Sequence, residues 1–350
     1  RVVNMLRNIL AFYEIYKDEA GPASDTSDTI LDRWILARLA GLILTTTEAL
    51  DHYDKVIGLD NSFYEAIWNR SLILLLLERF EEGWKEYEYR FMKEKPSDPR
   101  IFKKLKWDGS SLEGKRILII SEQGFGDSIN FIRYIPLVKE KKGHIILECK
   151  KELRKLFEDS FKIDEMVEKK GDLVPNVTFD FFIHFMSLPR IFCTNLSNIP
   201  NKVPYLFADA ELAEKFKSQF DKDYFNVGIV WAGNPEQIND KKRSTKFEKF
   251  KILRDIPKIK LYSLQKGEVV KELDEGVIDL SYQINNFADT AAIIENLDLV
   301  ISVDTSIAHL AGAMGKRVWI LLAVSADWRW LLDRGDSPWY PTAKLFRQPK

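Results

Sequence analysis

The sequence predicts an α + α/β protein, with a helical N-terminal region followed by two successive α/β units. Three observations lead there. Roughly the first 95 residues carry helical patterning, lack a strand pattern and repeat internally. From about residue 115, short apolar runs alternate with turns and amphipathic segments. From about residue 223 that alternation begins again.

Taken in order, the elements justify this reading. Trp34 recurs as Trp68, Ala49 as Gly83, Tyr53 as Tyr87 and Val56 as Arg90, each at a step of about 34 residues. "TEALDHYDKVIGLDN" aligns with "EEGWKEYEYRFMKEK" at that offset. A small residue at a helix crossing, followed by an aromatic one turn later, lets paired helices pack closely. "GPASDTSD" reads as a loop, and 1–95 as helical repeats. "KEKPSDPR" (Lys93 to Arg100) is a charged, Pro-containing joint, so 96–114 is read as a linker.

The first α/β unit, 115–222, opens with the buried strand "RILII" (Arg116 to Ile120). A turn, "SEQGFGDS", leads into the amphipathic helix "INFIRYIPLVKEKKG". "HIILEC" is a second strand, a helix starts at Lys151, and "FDFFIHF" is a third strand. The second unit, 223–350, opens with "NVGIVW" and a long polar loop, "AGNPEQINDKKRST". Strand "KIKLYSL", helix "ADTAAIIENL", strand "DLVISV", helix "SIAHLAGAMG" and strand "RVWILL" follow. The tail "DWRWLLDRGDSPWYPTAKLF" reads as a C-terminal helical tail whose Trp328, Trp330, Trp339 and Tyr340 either stack on a base or a sugar or, the plainer reading, pack into a core. Such alternation builds parallel sheets with helices on both faces. Ligands bind beyond the carboxyl ends of the strands, and two facing units place the site in the cleft between them.

Composition narrows the class. With 52 basic and 53 acidic residues the formal net charge is −1, which argues against a nucleic-acid or membrane-surface binder. No apolar run approaches the ~18 residues of a membrane span, and the N-terminus shows no signal-peptide pattern. The chain starts at Arg1, which suggests a piece of something longer. Cys149 and Cys193 are far apart without metal-ligand spacing, pointing to a thiol-reducing, cytoplasmic setting.

The candidate chemistry sits at strand–helix junctions. In "LVISVDTSIAHLAGAMGKRVWILL" a doubly buried strand ends at Asp304, Thr305 and Ser306, which open a helix. A helix N-terminus offers free N–H groups and partial positive charge, both suited to phosphate. His309, one turn in, reaches the same side. Asp, Ser and Thr are equally the commonest helix caps, and a helix histidine can simply be a packed one. In "EQGFGDSINF", Gly124 and Gly126 allow a tight turn, and Asp127 would project from a helix start as a general base. An Asp cap on an ordinary turn is the plainer alternative. Lys241, Lys242, Arg243 and Lys266 follow strands of the second unit, where cations can neutralise a diphosphate leaving group. A solvated loop accounts for Lys241 and Lys242 more readily than for Arg243 and Lys266.

Together "FGDSINFIRYIP", "WAGNP", "NDKKRS", "SLQKGE" and "SVDTSIAHLAGAMGKRVWILL" resemble the heptosyltransferase-like glycosyltransferases of family nine. The 34-residue period resembles tetratricopeptide repeats, although Asn61 and Lys95 stand where such repeats carry Pro. Repeats preceding such a transferase resemble the layout of protein O-GlcNAc transferases. The resemblance covers about residues 30 to 345 and implies two facing Rossmann-like lobes, the GT-B fold. It implies metal-independent, inverting transfer of a sugar from a nucleotide diphosphate, with that nucleotide sugar as co-substrate and no cofactor. Asp127 then matches the acceptor-deprotonating base. Gly124, Gly126, Asn234, Arg243, Gln265, Lys266, Asp304, Thr305, Ser306 and His309 fall in the nucleotide-sugar and diphosphate-binding positions. Arg243 stands where the family usually has Lys. No Asp-x-Asp metal motif lies near the proposed site, and no metal is expected. The repeats imply a protein or peptide acceptor, with a saccharide or lipid-linked acceptor as the alternative.

Two rival readings remain open. "GFGDSI" begins like a dinucleotide-binding G-x-G-x-x-G with Glu148 as the ribose acid, but Ile129 replaces the third glycine. Alternatively, the repeats form a scaffold joined to a transferase fold without activity.

Overall fold

The computed structural model describes residues 48–237, 240–332 and 334–348. Two compact units emerge. One contains the described residues up to Ser97 together with Cys193–Asn198 and Ser325–Gly335. The other contains Asp98–Phe192, Ile199–Val324 and the chain from Asp336 onward.

The first unit is helical. Residues 48–59 form a helix, followed by α1 (Tyr64–Leu76) and α2 (Phe80–Tyr87). Arg70 on α1 ties the three together through Asp54 and a paired contact with Glu86. Gly83 is where α2 meets α1: a Cβ there would lie 2.7 Å from Leu75 Cδ2 and 3.1 Å from Leu75 N. Close approach therefore requires the glycine, as its place in the repeat pattern suggested. Trp84 donates through Nε1 to the Thr194 carbonyl at 2.9 Å and meets Trp328 edge-on at 5.2 Å. Three helices do not by themselves make a tetratricopeptide array, and Trp34 lies outside the described residues.

The second unit holds two fully parallel sheets. The first joins β1 (Leu105–Lys106), β2 (Arg116–Ile120), β3 (His144–Cys149), β4 (Glu165–Glu168) and β5 (Phe181–His184) in the order β1-β5-β2-β3-β4. Helices α3 (Phe125–Phe131), α4 (Ile135–Lys139), α5 (Lys151–Ser160) and α6 (Leu188–Ile191) accompany it. The expected long helix after "GFGD" is broken by a 3-10 turn at Ile132–Tyr134, with Pro136 in the first turn of α4.

The second sheet joins β6 (Phe225–Val230), β7 (Ile259–Ser263), β8 (Val277–Asp279), β9 (Leu299–Val303), β10 (Val318–Leu322) and β11 (Ala343–Arg347). Its order, β11-β10-β9-β6-β7-β8, is that of a doubly wound nucleotide-binding sheet. Helices α7 (Ala210–Lys217), α8 (Asp240–Arg243), α9 (Phe287–Glu295) and α10 (Ser306–Ala313) complete it. The strand order reverses beside β2 in one sheet and beside β6 in the other. Those switch points are where such sheets open a crevice for ligands.

One expectation is corrected at the C-terminus. The tail is not helical beyond a 3-10 turn at Trp328–Trp330; it ends in β11, which pairs along the whole of β10. The reason is a period-2 pattern: Ala343 and Leu345 are buried, while Lys344 and Phe346 face out. All four tail aromatics are buried, with Trp328 and Trp330 in the helical unit and Trp339 and Tyr340 in the α/β unit. Residues 98–107, within the stretch read as linker, also belong to the α/β unit and supply β1.

A buried ion network closes the carboxyl edge of the first sheet. Arg100 bonds both Asp98 and Glu148, and His184 Nε2 lies 2.9 Å from Asp98 Oδ2. Burial acts to raise the Asp98 pKa, but hydrogen bonds from His184 and Arg100 outweigh it and hold the carboxyl far below its usual range. A depressed carboxylate pKa stabilises the fold above the unfolded-chain value near ~4 and loses that contribution as pH falls below it. Melting temperature is therefore expected to drop from about pH 4.5 downward. Asp98→Asn should lower the neutral plateau and flatten that acid limb; an unchanged limb in thermal scans would place the proton uptake elsewhere.

Among the described residues no helix is long and apolar enough to cross a membrane, and no group of three or more His, Cys, Asp or Glu is placed to hold a metal ion. Both cysteines are free; burial pushes the Cys149 thiol up to about 12.

Candidate active site

The site is assembled where β2, β6, β7 and β9 end. Each of these strands runs from an apolar core into a polar loop, so the backbone turns out of the sheet at the same edge. The loop after β2 becomes α3, and the loop after β9 becomes α10. These two helices pack against each other across the two sheets. Gly126 is the contact point: a Cβ there would lie 2.8 Å from His309 Cδ2 and 3.6 Å from Ser306 Cα. Glycine is therefore required for the approach itself, beyond the turn that the sequence suggested.

Asp127 occupies the third position of α3, and its Oδ2 accepts the Gly124 N–H at 2.9 Å. This capping contact turns the carboxylate back over the helix start. Opposite it, Thr305 caps α10: its Oγ1 accepts the Ile307 N–H at 3.3 Å and lies 2.9 Å from Ser302 Oγ. Ser306 is the first residue of α10, and His309 sits one turn in, buried, with Nε2 3.9 Å from Asp304 Oδ1. Gly126, Ser306, His309 and Asp304 are thus brought into one neighbourhood.

The second-lobe loop residues divide. Arg243 reaches the group, donating through Nη1 to the Asp304 carbonyl at 3.1 Å while Nε bonds Asp240. Gly233 admits it, since a Cβ there would collide with the guanidinium at 2.4 Å. Gln265 is buried and committed to the backbone. Its Oε1 accepts from Trp231 N and Ala232 N, and its Nε2 donates to the carbonyls of Ala232 and Lys266. It shapes the 231–233 loop. Lys266 turns its ammonium to the carbonyls of Ser281 and Ile284, both at 2.9 Å. Asn234 is exposed and accepts the Glu236 N–H. Lys241 and Lys242 are solvent-exposed as expected, although they lie in the short helix α8 rather than in a loop.

Sequence reasoning missed two cations on the first lobe. Lys150 Nζ bonds the Gln123 carbonyl and lies 4.6 Å over the Phe125 ring, while Lys169 Nζ bonds the Ser121 carbonyl. Burial and the neighbouring Lys169 ammonium lower the Lys150 pKa; Glu152 and Asp127 counteract them. The available signal was positional, since each lysine stands just past a strand end.

In architecture, two parallel sheets meeting at their carboxyl edges form a GT-B-like α/β protein. The fold is shared with a glycosyl transferase of family 9 from Veillonella parvula, at a TM-score of 0.52 and 15% identity, covering 69% of this chain and 88% of that one. The E. coli ADP-heptose LPS heptosyltransferase II superposes less well, with a TM-score of 0.47 and 11% identity over 67% of this chain and 91% of that one. In sequence, the chain is 26% identical over 304 residues to Protein FlbA of Caulobacter vibrioides, covering 79% of this chain. It spans about half the length of that relative, 51%. No family model matches the chain.

Proposed function

We propose that the protein is an inverting glycosyltransferase that moves a sugar from a nucleotide diphosphate to an acceptor hydroxyl. One observation carries the reading: α3 and α10 meet start to start, with Asp127 on one and Thr305, Ser306 and His309 on the other. The fold shared with a glycosyl transferase of family 9 is in keeping with it. The bond that breaks joins the anomeric carbon to a diphosphate oxygen, and its electron pair stays on the diphosphate. The start of α10, Arg243 and His309 receive that developing charge. Asp127 takes the proton of the acceptor hydroxyl as it attacks the opposite face of the sugar. Gln265 and Lys266 serve the reading indirectly, by fixing loops that frame the diphosphate. The acceptor is read as a protein or peptide engaged through the helical N-terminal region. No metal takes part.

A thermal-shift panel of UDP, GDP, ADP, CMP and NAD, with and without magnesium, tests this. One nucleoside diphosphate at about a hundredfold its Kd should add roughly 2.7 kcal/mol of stability, equally with and without magnesium. A shift with NAD alone would instead identify an oxidoreductase. Stabilisation that needs magnesium would overturn the metal-independent mechanism.

A further inference from the structure

The proposed transfer gives Tyr340 no task, yet this residue touches the histidine of the site. His309 is only 7% exposed, and its Nδ1 lies 2.9 Å from Tyr340 Oη. The Tyr340 hydroxyl also donates to Asn130 Oδ1 at 3.0 Å. Tyr340 is wholly buried, and Gly312 makes its space: a Cβ there would lie 2.6 Å from the ring. On the other side Gly126 admits the imidazole edge. His309 is thus held between two glycines and a phenol.

A phenol has one proton to give. Donated to Asn130, it leaves Tyr340 only lone pairs to offer His309, so Nδ1 must carry a proton of its own. We infer that Tyr340 is a positioning residue that fixes His309 as its Nδ1–H tautomer and aims Nε2 at the diphosphate position beside Asp304. The assignment of what Nε2 meets rests on the proposed transferase function; the tautomer does not. Neutral His309 then presents a bare Nε2, and it is the protonated imidazolium that offers the diphosphate an Nε2–H donor. The Nδ1–H bond to Tyr340 persists in both states, so the ring need not turn when Nε2 gains or loses a proton.

The test is nitrogen NMR on the full chain labelled at its four histidines, with His309→Gln to assign the resonance. Spectra are taken near pH 8.5, above the usual imidazole pKa of about 6.5. The expected wild-type signature is a protonated Nδ1 and a bare Nε2. Tyr340→Phe keeps the buried ring and should move the population toward the Nε2–H form that free imidazole prefers. It should also lower kcat about tenfold, as loss of a partner that orients a histidine does, with the donor KM changed less than about twofold. A wild-type Nε2–H tautomer would overturn the inference; a reversed Asn130 amide, making Tyr340 the donor, would produce it. A tautomer unmoved by Tyr340→Phe, or a kcat unchanged despite a moved tautomer, would also overturn it. The expected tautomer without nucleotide binding in the panel would sink the transferase reading and leave the assignment of Nδ1–H standing.

Discussion

Asp127→Asn is expected to lower the sugar-transfer kcat by about a thousandfold while nucleoside-diphosphate affinity stays within about threefold. The amide keeps an oxygen for the Gly124 N–H, so the start of α3 holds its shape, but it has no basicity for a hydroxyl proton. Ala is the poorer probe, because it also removes a capping contact of roughly 1 kcal/mol. Single-turnover rates and calorimetric affinities on the same preparation separate the two effects. Transfer at the wild-type rate by the Asn variant would remove Asp127 from the chemistry and with it the proposed direction of attack.

What the sequence made legible follows from which residues report locally. "RILII" and "LVISV" are apolar on both faces because their strands lie inside their sheets, and they read as strands without further context. The elements that escaped notice lie at sheet edges: Leu105–Lys106, Glu165–Glu168, Val277–Asp279 and Ala343–Arg347. Edge strands are short and half polar, so little distinguishes them from loop. The tail failed for a further reason: its tryptophans dominate the composition, while the period-2 pattern of β11 spans only five residues.

The site divides the same way. Asp304 to His309 was legible because a buried strand running into a capped helix is a local pattern. The commitments of Gln265 and Lys266 were not, since both depend on carbonyls brought near by folding. Gly126 announced a tight turn, but not the imidazole packed against it. Tyr340 is 31 residues from His309 and 210 from Asn130, so no local pattern connects them.

Arg133→Met is expected to destabilise the α/β unit by about 3 kcal/mol, the scale for leaving buried carbonyl and phenol acceptors without their donor. Arg133 is 3% exposed and has carbonyls and phenols around it. Its Nε donates to the Asn130 carbonyl at 2.7 Å, Nη1 to the Trp339 carbonyl at 2.7 Å and Nη2 to Tyr205 Oη at 2.8 Å. Its guanidinium also lies 4.7 Å from the ring centres of Tyr205 and Tyr340. Met fills much of the volume but leaves those acceptors buried without a donor. Lys keeps the charge yet cannot span three diverging acceptors, so it should recover less than about half of the loss. Urea unfolding midpoints measure both variants. A Met variant within about 0.5 kcal/mol of wild type would mean that water or a backbone shift satisfies the acceptors. Because Arg133 joins the backbone of Asn130 to that of Trp339, it also sets where Tyr340 stands relative to α3. The Met variant should therefore lose His309 orientation at temperatures well below its melting point. A histidine spectrum unchanged up to unfolding would show that Gly126 and Gly312 position the imidazole without the clamp.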